Sequence, residues 1–195
     1  MSFFGERRKD MEIQSKKAAI APEGVYIIGT YDENGQPNAM NAAWGSQSDY
    51  GEVTFFLGQH KTTDNLKKTG AFTVAFATAQ TVEISDYFGI ESGHHENKIE
   101  KAGVHVHKSS HVNAPIIEEY PLTLECLVTS YDDKTGILVG QIVSEQADEA
   151  ILTNGKVDYD KLQPIIFDIA SMSYRIIGPV VGKAFHDGLR LKKGE

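Results

Sequence analysis

A single cysteine, Cys126, is the whole thiol content of this 195-residue chain. That excludes an intrachain disulfide framework and every Cys-x-x-Cys metal or redox motif, and it suits a reducing, cytoplasmic setting. Spaced among Leu122, Leu124 and Val128 on one side of a strand-like segment, Cys126 reads as a small buried hydrophobe. No apolar run approaches the roughly 20 residues of a membrane span. Basic residues are also few: 19 Lys plus Arg against 27 Asp plus Glu leave a net charge of −8. Nucleic acid and anionic membranes are therefore repelled on average, and an anionic ligand has to find a local positive site. There is no Gly-x-Ser-x-Gly elbow, no Gly-x-x-x-x-Gly-Lys phosphate loop and no Gly-x-Gly-x-x-Gly fingerprint, which removes the common hydrolase, P-loop and dinucleotide-domain readings. Met1 to Lys17 carries Arg7, Arg8, Lys9, Lys16 and Lys17 with Glu6, Asp10 and Glu12 and has no apolar core. It is not a signal peptide, and residues 1–17 are expected to form an exposed or partner-contacting arm.

What is present is the composition of a globular protein, 41% hydrophobic and 24% charged, at a length suited to one domain over residues 18–195. Period-two alternation in short segments between turn residues predicts a mainly β fold with short helices. The expected strands are Gly24–Tyr31, then Asn38–Trp44 after the turn Asp32-Glu33-Asn34-Gly35, followed by Val53–Leu57, Phe72–Phe76, Leu122–Val128, Ile137–Ser144, Ile165–Phe167 and Ser173–Ile177. Seven or eight strands are enough to close a barrel and remove exposed edges. Helices are expected over Thr63–Thr69, stopped by Gly70, over Val82–Phe88 and Glu96–Ala102, and as a single turn at Asp158–Leu162.

Three constellations carry chemistry. Gln59-His60-Lys61-Thr62-Thr63-Asp64-Asn65 falls where a strand gives way to a helix, and free N–H groups, hydroxyls, an amide and an ammonium there suit a phosphate. The competing reading is a threonine cap beside a solvated lysine. Asn38-Ala39-Met40-Asn41-Ala42-Ala43-Trp44 ends a strand in small residues; they let a flat ring lie against the backbone, or else simply pack tightly inside a barrel. Asp86-Tyr87-Phe88-Gly89 with Lys98 offers two aromatics to wall a ring, although such aromatics also form the buried face of a helix and such a lysine is commonly solvated. His94, His95, His105, His107 and His111 are clustered, and His105 and His107 share a strand face, but no Cys, His-Glu-x-x-His helix or supporting pattern accompanies them, so no metal site is assigned.

The ordered series Val25-Tyr26-Ile27-Ile28-Gly29-Thr30, Pro37-Asn38-Ala39-Met40, Ala42-Ala43-Trp44-Gly45, His60-Lys61-Thr62-Thr63-Asp64-Asn65-Leu66 and Thr69-Gly70-Ala71-Phe72 continues through Asp86-Tyr87-Phe88-Gly89, Ser92-Gly93, Lys98, Lys101-Ala102-Gly103, Ala114-Pro115, Gly178 and Gly182-Lys183-Ala184-Phe185. In this order the chain resembles the flavoredoxin-type branch of the flavin reductase-like, FMN-binding split-barrel family. The resemblance implies a Greek-key split β-barrel that forms a homodimer with one FMN per subunit near the interface. It implies that Asn41, Ala42, Ala43 and Trp44 hold the isoalloxazine. His60, Lys61, Thr62, Thr63 and Asn65 would hold the phosphate and ribityl chain, and Tyr87, Phe88 and Lys98 would complete the cofactor site. Asn41 stands where many members have Thr or Ser, and Gln47-Ser48-Asp49-Tyr50 replaces a more apolar loop that borders the ring.

The implied activity is that of an FMN flavoprotein oxidoreductase, a flavin reductase-like enzyme using NADH or NADPH. The alternatives are a flavoredoxin-type electron carrier reduced by a protein partner and a non-catalytic FMN-binding or sensing module. Because the cofactor supplies the redox chemistry, no side chain is assigned a catalytic role.

Overall fold

Only Ala43 and Trp44 separate the strand that ends at Ala42 from the one that starts at Gly45, yet these strands are the two edges of one seven-stranded sheet. Such a link reaches at most about 11 Å, whereas seven flat strands would span about 29 Å at the usual spacing. The sheet therefore has to curl until its edges approach. The computed structural model describes residues 22–193, so the expected arm at residues 1–17 lies outside the described residues.

In chain order the elements are β1 (Glu23–Gly24), β2 (Tyr26–Tyr31), β3 (Pro37–Ala42), β4 (Gly45–Asp49), β5 (Glu52–Phe56), α1 (Lys61–Thr69), β6 (Ala71–Phe76), α2 (Val82–Ile90) and α3 (Lys98–Ala102). They continue as β7 (Val106–Lys108), β8 (Pro115–Ile117), β9 (Leu122–Asp132), β10 (Ile137–Ala147), β11 (Leu152–Thr153), β12 (Lys156–Val157), α4 (Tyr159–Leu162), β13 (Ile165–Asp168), β14 (Ser173–Ile176) and α5 (Leu189–Lys193). The large sheet runs β3-β2-β6-β9-β10-β5-β4 with antiparallel neighbours throughout, and β1-β13-β14 form a second, three-stranded sheet. This is the expected mainly β split barrel with short helices.

Neighbouring residues on β2 feed different cores. Ile28 joins Met40, Phe55, Leu66, Phe72, Val74, Cys126 and Leu138, while Ile27 joins Ala39, Ala75, Phe88, Ile99, Ile117 and Ile165. Side chains alternate across a strand, so a strand covered on both sides buries both sets, each large apolar side chain contributing roughly 1.5–3 kcal/mol. Cys126 is fully buried, and burial pushes its thiol pKa up to about 12. It is thus an inert core residue.

The observed elements depart from expectation at several boundaries. The first helix begins at Lys61, two residues before Thr63, with His60 in extended conformation at its N-cap. The strand expected through Trp44 stops at Ala42, and the loop expected after Gly45 is the strand β4. All of Ser46–Asp49 is exposed, so β4 has no apolar alternation to announce it. Its ladder to β5 and the bonds Ser48–Glu52 (2.8 Å) and Thr54–Ser48 (2.9 Å) define it instead. The third helix begins at Lys98, with Asn97 as its N-cap, and not at Glu96.

Among the described residues, one buried charge lies on this sheet. Glu125 on β9, opposite Thr73 of β6, is wholly buried. Ser109 donates to its Oε2, Gln146 Nε2 donates to Oε1 at 2.9 Å, and His111 Nδ1 is 3.2 Å from both oxygens. Burial raises the carboxyl pKa, but these hydrogen bonds outweigh it and leave Glu125 below its ordinary value of 4.5. A carboxyl lowered by folding contributes stability that is complete above the unfolded value and is lost as pH falls through the folded one. Glu125→Gln should therefore cost about 1–3 kcal/mol at neutral pH and flatten the acid limb of stability between about pH 5 and 3. Urea denaturation of both proteins across that range measures this; an unchanged acid limb would show that Glu125 is not the group responsible.

Candidate functional site

At the seam where the sheet edges meet lies a cleft of about 480 Å³. Its walls come from the end of β3 and the link Ala43-Trp44, from Phe56 to Gly58 after β5, from the start of α1, from the end of α2 with Glu91 to Gly93, and from Lys98. The β13–β14 hairpin closes one side through Phe167, Met172 and Tyr174.

Buried polar ties position α1. Asn38 Nδ2 donates to Thr62 Oγ1 at 2.7 Å, Asn65 Nδ2 donates to Thr30 Oγ1 at 3.1 Å, and Thr63 Oγ1 accepts the His60 N–H at 2.9 Å. Such groups are costly when left unpaired, so the first two bonds fix the helix against β3 and β2 and the third caps its first turn. The first intrahelical bond is Asp64 N to His60 O. The N–H groups of Lys61, Thr62 and Thr63 therefore precede the hydrogen-bonded ladder at the positive end of the helix. The Thr62 hydroxyl accepts from Asn38 and keeps its own proton for donation.

The cleft lining carries two ammonium groups, Lys61 and Lys98, beside the carboxylates of Asp86 and Glu91. Lys61 is partly exposed, with Nζ 3.8 Å from Asp32. Lys98 is only 4% exposed; its Nζ donates at 3.0 Å to the carbonyls of both Phe88 and Glu91 and lies 5.9 Å from the Phe88 ring centroid. Burial lowers its pKa to about 8. Burial, then the charges of Lys98 and His94, push His60 down. Tyr174 donates to Asp86 Oδ1 at 2.7 Å, and burial followed by that bond raises its pKa to about 12, so it stays a neutral donor.

Of the residues singled out from sequence, Asn41, Ala42, Ala43, Trp44, His60, Lys61, Thr62, Phe88 and Lys98 line this one cleft. Thr63 and Asn65 do not; they anchor α1 from behind. Tyr87 packs at the edge of the second core. Asn41 spends its amide on the Ser85 carbonyl at 2.9 Å, tying β3 to α2. Trp44 is a rim aromatic, 57% exposed. Lys98, which the resemblance places in the cofactor site, is buried and not the solvated helix lysine of the competing reading, because the end of α2 folds over it and presents two carbonyls.

Met40, Phe56, Phe167, Met172 and Tyr174 line the cleft without having been singled out. The last three arrive from a hairpin far along the chain, and only the β13–β14 pairing marks them. Asn38 had a signal of its own, an amide at the start of a strand, where a buried polar group needs a partner.

The clustered histidines separate. His105 and His107 bind Glu119 (2.9 Å) and Glu118 (3.0 Å), His111 binds Glu125, and His94 lies 3.5 Å from Asp64. Among the described residues no group of three or more His, Cys, Asp or Glu side chains is placed to hold a metal ion.

Comparison with known proteins gives this geometry a family. Residues 19–163 match the sequence model described as flavin reductase like domain. The chain is 29% identical to the solved flavoredoxin of Desulfovibrio vulgaris (Miyazaki F), covering 92% of this chain and 100% of that one with a TM-score of 0.87. Against flavoredoxin from Methanosarcina acetivorans the identity is 26%, with 94% and 100% covered and a TM-score of 0.84. An uncharacterized protein of Archaeoglobus fulgidus is 31% identical over 153 residues, 75% of this chain and 84% of that protein. The family match spans most of the chain, both flavoredoxins superpose along nearly its whole length, and the chain belongs to the flavin reductase-like family.

Proposed function

We propose that the cleft holds FMN and that the protein is a flavin-dependent oxidoreductase. One observation carries this reading: a helix start bearing Lys61 and Thr62 and a strand end of small residues, Ala42 and Ala43, line the same 480 Å³ cleft. That volume lies within the range of cofactor sites. The donors suit a phosphate, and the small strand end leaves room for a flat ring against backbone groups.

FMN supplies the redox chemistry when bound. The chain's residues bind and orient it. Lys61, the Thr62 hydroxyl and the first N–H groups of α1 take the phosphate, the Asn41–Trp44 stretch takes the ring edge, and His60 and Phe88 close the walls. Thr63 and Asn65 act through the placement of α1, and Tyr87 through the packing of α2. Lys98 braces the turn from Phe88 to Glu91. The same reading takes residues 18–195 as one domain with an arm at 1–17, a cytoplasmic homodimer as the working form, and NADH or NADPH as electron donor at the open side of the cleft. A second reading, a flavoredoxin-type electron carrier reduced by a protein partner, is favoured by the similarity to two flavoredoxins over nearly the full chain.

Two measurements test these statements. Purified protein should be yellow, and Lys61→Ala should weaken FMN by about 1.5–3 kcal/mol, the range of a charged hydrogen bond, while riboflavin affinity hardly changes. Isothermal titration with both ligands decides this; equal losses would mean that Lys61 serves the ring or the fold. Under anaerobic stopped flow, NADH or NADPH should bleach the bound flavin slowly, with a half-saturating concentration of roughly hundreds of micromolar, because no dinucleotide fingerprint is present and Asp49 and Glu52 oppose a pyrophosphate. If neither nucleotide bleaches it while dithionite does, the carrier reading replaces the reductase reading.

A further inference from the structure

The two carboxylates that line the cleft, Asp86 and Glu91, are held differently. Glu91 accepts the Ser92 N–H at 2.7 Å, and its charge acts on the buried ammonium of Lys98. Asp86 is half-buried on α2 and has no cation. Among the described residues no Lys, Arg or His comes within ion-pair distance of it. Its side chain has one partner there, Tyr174, whose hydroxyl donates to Oδ1 at 2.7 Å.

A carboxylate drawn partly out of water without a cation costs free energy. A tie between the β13–β14 hairpin and α2 does not need that charge, because a neutral amide would accept the same bond from Tyr174. The hairpin also docks without it, since Phe167 and Tyr174 pack against the second core beside Phe88. The charge is therefore left over from the structural account, and its place in the cleft is specific. The carbonyl of Ser85, the residue before Asp86, takes the Asn41 amide at 2.9 Å. A side chain at Gly89, three residues on and so on the same helix face, would come within 3.2 Å of Asn41 Cβ. Helix α2 is thus seated on the start of the Asn41–Trp44 stretch, and Asp86 lines the cleft together with those four residues.

We infer that Asp86 is a tuning residue of the site: its uncompensated carboxylate opposes added negative charge on a flavin ring in the cleft and makes the bound flavin a stronger reductant. The inference rests on the FMN site of the proposed function. A hydride brings two electrons and one proton, so a neutral ring that accepts it is one charge more negative until a second proton arrives from solvent. A fixed carboxylate in the same partly desolvated cleft disfavours that state. The phosphate carries the same charge before and after, so Lys61 and the start of α1 hold both forms alike. Retention and potential are in this way assigned to opposite walls, α1 holding the cofactor and α2 setting its readiness to give up electrons. A flavin so placed takes hydride less readily and passes electrons on more readily, which suits a donor to a further electron acceptor.

The test is the midpoint potential of bound FMN, read by equilibration against a reference dye at mildly alkaline pH, where the reduced ring stays anionic. Asp86→Asn removes the charge and keeps an acceptor for Tyr174. It should raise the potential by about 30 mV or more, equivalent to at least a tenfold gain in affinity for reduced over oxidised flavin. Tyr174→Phe removes the bond and keeps the charge, and should leave the potential unchanged or lower it. Asp86→Ser removes the charge through another side chain and stands in if the asparagine variant does not hold FMN. An unaltered chain that binds no FMN overturns the site and the tuning together. Bound FMN whose potential is unmoved in the charge-free variant overturns the tuning alone. A rise in Tyr174→Phe as large as that in Asp86→Asn means that the pair acts through the placement of the hairpin, and overturns the tuning as well.

Discussion

The two-residue link between the sheet's edge strands is the constraint on which the site depends. Ala43 and Trp44 join β3 to β4, so the sheet curls, and the cleft is what remains where the edges approach without pairing. The Trp44 carbonyl is taken by Phe56 N at 2.8 Å, which holds the link against β5. A side chain at Gly45 would collide with the Phe55 ring. The glycine is therefore required by close approach across β4 and β5 and not by its dihedral angles. Small residues at the seam serve the curl first, and the space against the backbone follows from that.

The helix start is placed by bonds that look unrelated to any ligand. Asn38–Thr62, Asn65–Thr30 and Thr63–His60 join α1 to β2, β3 and its own first turn. Because each buried amide or hydroxyl loses free energy if the helix shifts, α1 has little freedom to rotate or slide along the sheet. Thr63 and Asn65 thus stand one layer behind the cleft, and the donors in front inherit their placement.

The sheet was legible in sequence where apolar and β-branched residues run between turn residues, as at β9 and at β6, which is buried on both faces. It was not legible at β4, where exposure leaves no contrast between faces, or at β1, β7, β8, β11 and β12, which are two or three residues long. Within the site, the strand end and the helix start were legible because each is a local pattern. Phe167, Met172 and Tyr174 were not, because only the pairing of β13 with β14 brings them to the cleft. The burial of Lys98 was not legible for a related reason. Its own helix is short and polar, and what buries it is the end of α2, to whose Phe88 and Glu91 carbonyls it donates.

Those carbonyls also explain how an acidic chain holds a buried ammonium in the cleft wall. An ammonium paired with a carboxylate adds no net charge, but Lys98 is held by two carbonyl dipoles at the C-terminal end of α2, where a helix favours a cation. Its charge is therefore compensated locally without being cancelled. Glu91 lines the same cleft; its Oε1 accepts the Ser92 N–H at 2.7 Å, and its charge offsets part of the effect of burial on Lys98. Being 4% exposed, Lys98 is shielded from the salt that screens surface charges, whereas the excess acid of the chain is spread over solvated side chains and decays within a Debye length. Near the start of α1, Lys98, Lys61 and the helix end stand beside the carboxylates of Asp32, Asp86 and Glu91, while the net charge of −8 is felt mainly by ligands still at a distance.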